Sequence, residues 1–142
     1  MRLEEFIPLE ISRHKPVSLL LADDQARALA TAFLNAHPAS MAFDAWQPGI
    51  TLALVGATPA TQNAPATMRL LGGLIRQIPV VLVVAGENGP LKFSDFLALG
   101  MQRLYGPDAD ARCVYGFDLH TYKPAPDWLN SKYWAHPELW KP

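Results

Sequence analysis

Charge is scarce in this chain. Asp, Glu, Lys and Arg together make up 18% of its 142 residues, against about 25% in an average globular domain. The acids and bases nearly cancel, for a net charge of -1, and no run of Lys or Arg occurs. The electrostatic footprint of a nucleic-acid binder is therefore missing, and nucleic acid is excluded as the expected partner. Cysteine is equally scarce. Cys113 stands alone and can close no internal disulfide, and the acidic N-terminus MRLEEFIPLE lacks the basic start and apolar core of a secretion signal, so a cytoplasmic location is expected. Long apolar runs are absent too. The most apolar stretch, residues 78–85, lies between Arg76 and Glu87 and is far shorter than the roughly 20 residues a bilayer requires, which argues against a membrane.

What is present is apolar material in short pieces. Hydrophobic residues account for 50% of the chain, which at this length predicts one domain, 1–142, with a single ample core. Residues 17–22 (VSLLLA), 51–55 (TLALV) and 79–85 (PVVLVVA) are Val- and Leu-rich runs of strand length without polar alternation. Such runs suit strands covered on both faces. Met41, Phe43 and Ala45 alternate as a further short strand. Between the runs, Ala26, Leu29, Ala30, Phe33 and Leu34 keep helical spacing behind Asp23 and Asp24, and Met68, Leu71 and Ile75 do so behind Pro65. Residues 1–15 read as a lead-in, a short helix or irregular segment broken by Pro8. Ser94 is placed to cap a helix carrying Phe96, Leu97, Gly100, Met101 and Leu104. Residues 102–105 and 112–118 flank a turn as an antiparallel hairpin. Strand and helix alternate, so the expected fold is α/β: a Rossmann-like, mainly parallel sheet with helices on both faces, ending in an antiparallel hairpin and an aromatic tail.

In such a sheet a ligand is expected at the carboxyl ends of the strands, where strand order reverses. The turn there reads LLADDQARA and has no glycine, so the fingerprint of a dinucleotide or S-adenosylmethionine site is absent. Asp23 and Asp24 are candidates for meeting a cation or a ligand hydroxyl, but a helix cap is the simpler role for one of them. Asp44, about 20 residues past the first strand, stands where a ribose-binding acid would, although Asp at a strand end is commonly solvated. Gly56, Thr58, Thr61, Gln62 and Asn63 make a small polar loop after the third apolar run. On the last strand a period of two puts Cys113, Tyr115, Phe117 and Leu119 on one face and leaves Asp118, His120 and Tyr122 as a polar row on the other. That row has the groups of an acid and base pair, but with no nucleophile beside it a hydrogen-bonded polar edge is the simpler reading. His14, His37 and His136 are scattered without metal-ligand spacing, and no metal site is expected. Cys113, on the apolar face, is expected to be an inert thiol.

The tail, 119–142, is the most distinctive part. Trp128, Trp134 and Trp140 lie there with Tyr122 and Tyr133 among several prolines. Rings so clustered either cover the sheet, form a contact with a protein partner or a second copy, or line a pocket. The segment FDLHTYKPAPDWLNSKYWAHPELW resembles the closing segment of an uncharacterised family of small bacterial proteins, with the signature D-x-x-T-Y-K-x-x-P-D-W-L-N-x-x-Y-W-A-H-P-E-x-W. The order of elements is also similar to a shortened class I methyltransferase, in which S-adenosylmethionine lies over the first two strands. The first resemblance implies no activity. The second implies S-adenosylmethionine as a cofactor with Asp44 at the acidic position, while the glycine-free turn departs from that pattern. Two readings follow: a non-catalytic binding or interaction module working through Trp128, Tyr133, Trp134 and Trp140 or the strand-end cleft, and a methyltransferase with an atypical cofactor turn at Asp23, Asp24 and Asp44.

Overall fold

In the computed structural model, residues 2–14, 17–56, 64–86 and 89–120 are described. The loop residues Thr58, Thr61, Gln62 and Asn63, and Tyr122, Trp128, Tyr133, Trp134, His136 and Trp140 of the tail, lie outside the described residues.

The apolar runs become the inner strands of a six-stranded sheet. These are β1 (Ser18–Leu21), β3 (Leu52–Val55) and β4 (Val80–Ala85), joined by β2 (Met41–Phe43), β5 (Gln102–Tyr105) and β6 (Cys113–Asp118) in the order β2-β1-β3-β4-β6-β5. The first four strands in that row run parallel, and β6 pairs antiparallel with both β4 and β5. Every residue of β3 and β4 is buried, as their unbroken Val and Leu content requires.

Alternate side chains of these strands feed two cores. On one face Leu19, Leu21, Leu52, Leu54, Leu82 and Val114 pack against the helices α1 (Leu3–Ser12) and α2 (Asp24–Ala36). On the other, Leu20, Ala53, Val55, Val81, Val83 and Tyr115 pack with α3 (Ala64–Gln77) and α4 (Phe93–Ala98). The fold is thus mixed α/β with helices on both faces and an antiparallel end.

Three local expectations are corrected. The lead-in is one ten-residue helix that Pro8 does not break. Leu3, Ile7 and Ile11, spaced by four, are at most 1% exposed and anchor it to the core. Proline removes only the N–H that would reach Glu4, and Glu4 is exposed, so water can serve its carbonyl. The Pro8 carbonyl in turn accepts from Ser12 Oγ at 2.9 Å. Ser94 is not a cap: α4 starts at Phe93, two residues earlier than a Ser94 cap implies, and Asp95 reaches back to accept the Lys92 N–H at 2.9 Å. That helix stops at Ala98, because Gly100 turns the chain at φ +83° and so places Met101 in the core and Leu104 on β5. Pro65, expected as the first residue of the third helix, is the second residue of α3.

Candidate functional site

The sheet has two ends, and the chain treats them differently. At the carboxyl end, strand order reverses at β1, which has β2 on one side and β3 on the other. A ligand cleft would open between the turns that leave β1 and β3. Here the turn after β1 is short. Ala22 still donates its N–H to the Leu54 carbonyl of β3 at 3.1 Å, and α2 begins at Asp24.

Asp23 between them is the N-cap. Its Oδ1 accepts the Ala26 N–H at 2.7 Å, and its Oδ2 accepts the Gly56 N–H across the reversal point at 3.1 Å. The carboxylate thus sits where the helix start and the end of β3 both present donors, the position an external anion takes at a helix N-terminus. Gly56 is buried, and its lack of a side chain is what permits the approach. A Cβ there would stand 2.3 Å from the Ala26 nitrogen and 2.7 Å from Asp23 Oδ1.

The other two acids named from the sequence go elsewhere. Asp24 is exposed and pairs with Arg27 one turn along α2. Asp44 follows β2 and is exposed, at the mouth of an open groove of about 490 Å³ that it lines with Arg27, Thr31, Leu34 and Leu21. The three carboxylates therefore serve in three places.

At the amino end a larger cavity, about 590 Å³, lies under the last turn of α1. Its apolar wall includes Leu82, Leu104 and Met101, and its polar end is Glu10, His14 and Asp118. The Glu10 side chain is only 7% exposed, and both of its oxygens accept from Arg13 Nη1 at 3.0 Å. His14 Nε2 stands 3.5 Å from Glu10 Oε1, and His14 Nδ1 stands 3.9 Å from Asp118 Oδ2. An imidazole between two carboxylates joins the first helix to the last described strand. Both separations exceed a hydrogen bond.

The polar row is placed differently from expectation. Asp118 closes β6, while His120 is an exposed turn residue whose backbone N–H donates to Asp118 Oδ1 at 2.9 Å. The ring that Asp118 faces is that of His14, from the far end of the chain. The spacing of four between Glu10 and His14 signals only their own pairing on α1, and Asp118 joins them through the tertiary fold.

A third cluster fastens the β5–β6 hairpin. Asp108 Oδ1 accepts the N–H groups of Asp110 and Arg112, each at 2.9 Å, and Arg112 Nη2 lies 3.2 Å from Asp108 Oδ2. The Arg112 N–H and its neighbours hold the Asp108 carboxyl below its ordinary value. Phe6 stacks on Tyr105 at 5.0 Å, and the Tyr105 hydroxyl is raised by burial and by the Asp108 charge. Tyr115 stacks on Phe96 at 4.0 Å, with its hydroxyl raised by burial and by Cys113. Cys113 is half-buried at the edge of that core.

Among the described residues no group of three or more His, Cys, Asp or Glu is arranged to hold a metal ion, and no helix is long and apolar enough to cross a membrane. A family model described as a family of unknown function (DUF6231) matches residues 1–142. No curated protein and no solved structure matches the chain.

Proposed function

The chain belongs to DUF6231, a family of unknown function, and we propose that it is a non-catalytic binding or interaction module on a Rossmann-like, methyltransferase-like sheet. The Asp23 bridge carries this reading. A cofactor held at a strand-order reversal uses the N–H groups of the helix start and a close approach of the backbone. Here those groups are taken by the chain's own carboxylate, at Ala26 and Gly56. The parallel strands closed by an antiparallel hairpin support the methyltransferase-like part of the reading, and the glycine-free turn supports the loss of its cofactor. Partner contact falls to the aromatic tail, Trp128, Tyr133, Trp134 and Trp140. Replacing Trp134 and Trp140 by Ala is expected to change partner capture or oligomeric mass while far-UV circular dichroism stays native. Loss of folding would instead make those rings core cover.

One observation favours a second reading, a methyltransferase using S-adenosylmethionine: Asp44 follows β2 beside an open groove, at the acidic position. Calorimetric titration with S-adenosylhomocysteine separates the two. The module reading expects no heat and no change in the melting curve. Saturable heat, with a stabilisation near the roughly 2.7 kcal/mol expected at a hundredfold excess over Kd, and its loss in Asp44→Ala, would replace it with the enzyme.

A further inference from the structure

The polar end of the amino-end cavity holds a histidine where only the charged ring serves both of its neighbours. His14 follows Arg13, the residue that caps the end of α1, and its side chain is 15% exposed. Nε2 has Glu10 Oε1 beside it at 3.5 Å, and Nδ1 has Asp118 Oδ2 at 3.9 Å. A neutral imidazole donates from one nitrogen and carries a lone pair on the other, whereas an ionised carboxylate only accepts. One of the two nitrogens then has no proton to offer the carboxylate beside it. An imidazolium has one for each.

The surroundings favour that charged ring on two further counts. Among the described residues, the other charged groups lining this cavity are Glu10, Arg13 and Asp118, while β4, β5 and α4 bring only uncharged side chains such as Leu82, Gln102 and Leu97. Two acids thus stand against one base, and the Arg13 side chain is 69% exposed, so its opposition is screened by solvent. His120 is exposed and meets Asp118 through its backbone N–H. In addition, α1 has no basic residue in its last turn, and positive charge just past a helix C-terminus complements the partial negative charge of its last carbonyls.

We propose that Glu10, His14 and Asp118 form a pH-operated clasp, which ties the end of α1 to the end of β6 when His14 is protonated and releases it when the ring is neutral. Protonation supplies the second N–H, and both separations shorten to hydrogen bonds. The tie is gained as pH falls from about 8 to about 5.5, across the range in which a histidine charges while carboxylates stay ionised. It is lost as pH rises again. Because these three residues make the polar end of the cavity, the clasp closes that end in acid and opens it in base.

The test compares the full chain at about pH 5.5 and about pH 8. The Arg13 and His14 amides close α1 on the Leu9, Glu10 and Ile11 carbonyls. Their hydrogen exchange by NMR, corrected for the intrinsic effect of pH, is expected to show several-fold greater protection at the lower pH. The Ala22 amide, bonded to Leu54 at the opposite end of the sheet, should show none of this gain. His14→Gln and Asp118→Asn should each abolish it, while His37 and His120 remain in both variants as internal controls. A second readout needs no variant. In the wild-type chain the Asp118 carboxyl carbon signal should move in the same step as the His14 ring nitrogens. Equal protection at both pH values would overturn the proposal, as would a gain that survives Asp118→Asn or an Asp118 signal that ignores the ring.

Discussion

The carboxyl and amino ends of the sheet are made from the same strands yet are finished in opposite ways. At the carboxyl end a single carboxylate, Asp23, joins the start of α2 to the end of β3 and fills the corner where ligands of such sheets sit. At the amino end a cavity of about 590 Å³ stays open beneath Glu10, His14 and Asp118. The difference shows how little of a cleft's function is fixed by a sheet's topology. Here one short, glycine-free turn carries an aspartate whose two oxygens tie the start of α2 to the end of β3.

The contrast can be broken at its tightest point first. Gly56→Ala places a Cβ against backbone atoms of Gln25 and Ala26, which cannot swing aside as a flexible side chain can, so a loss of about 3 kcal/mol or more in urea unfolding is expected. An unchanged midpoint would mean that the corner is loose. Asp23→Ala should follow at about 2–3 kcal/mol, since it removes the cap and leaves the buried Gly56 N–H without this acceptor. Asp23→Asn, still a good cap, should lose clearly less. At the open end the effects should be smaller. Glu10→Gln removes the charge partner of Arg13, but the Arg13 side chain is 69% exposed, so about 0.5–1 kcal/mol is expected by the same measurement. A loss as large as that at Asp23 would make the two ends equivalent.

The pH dependence sharpens the comparison further. Asp108 titrates below its ordinary 3.8 in the folded chain, so its contribution is complete above that value and is lost as pH falls through the lowered one. Tyr105 and Tyr115 titrate above 10.0 when folded. Their contribution is intact below pH 10.0 and lost as pH rises through the raised values. Denaturation across pH should therefore show an acid limb that Asp108→Asn flattens, and an alkaline limb that Tyr105→Phe reduces.

Much of the fold was legible because its strands are covered on both faces. That condition writes itself into a sequence as runs such as LALV and VVLVVA, and the Asp23 cap follows from local preference alone. The errors came where a local rule met a tertiary circumstance. Pro8 reads as a helix breaker, yet it lies where the orphaned carbonyl faces water while Leu3, Ile7 and Ile11 hold the helix down. Ser94 looks like a cap, but it lies inside the helix, where Asp95 reaches back to accept the N–H of Lys92, the residue that precedes the first turn. The amino-end cluster was the least legible part. Glu10 and His14 are an ordinary helical pair until β6 brings Asp118 beside them, and nothing local in either segment announces the other. Likewise, Asp118 and His120 alternate correctly for one strand face, but the strand ends between them.

The central claim is that the corner at the strand-order reversal is closed from within. The Gly56 and Ala26 amides report it directly in a two-dimensional NMR spectrum of the full chain, followed by hydrogen exchange and by addition of S-adenosylhomocysteine. Both amides should exchange slowly and keep their positions as the ligand is added. Fast exchange, or shifts that saturate with ligand, would show that Asp23 leaves the corner open and would contradict the account.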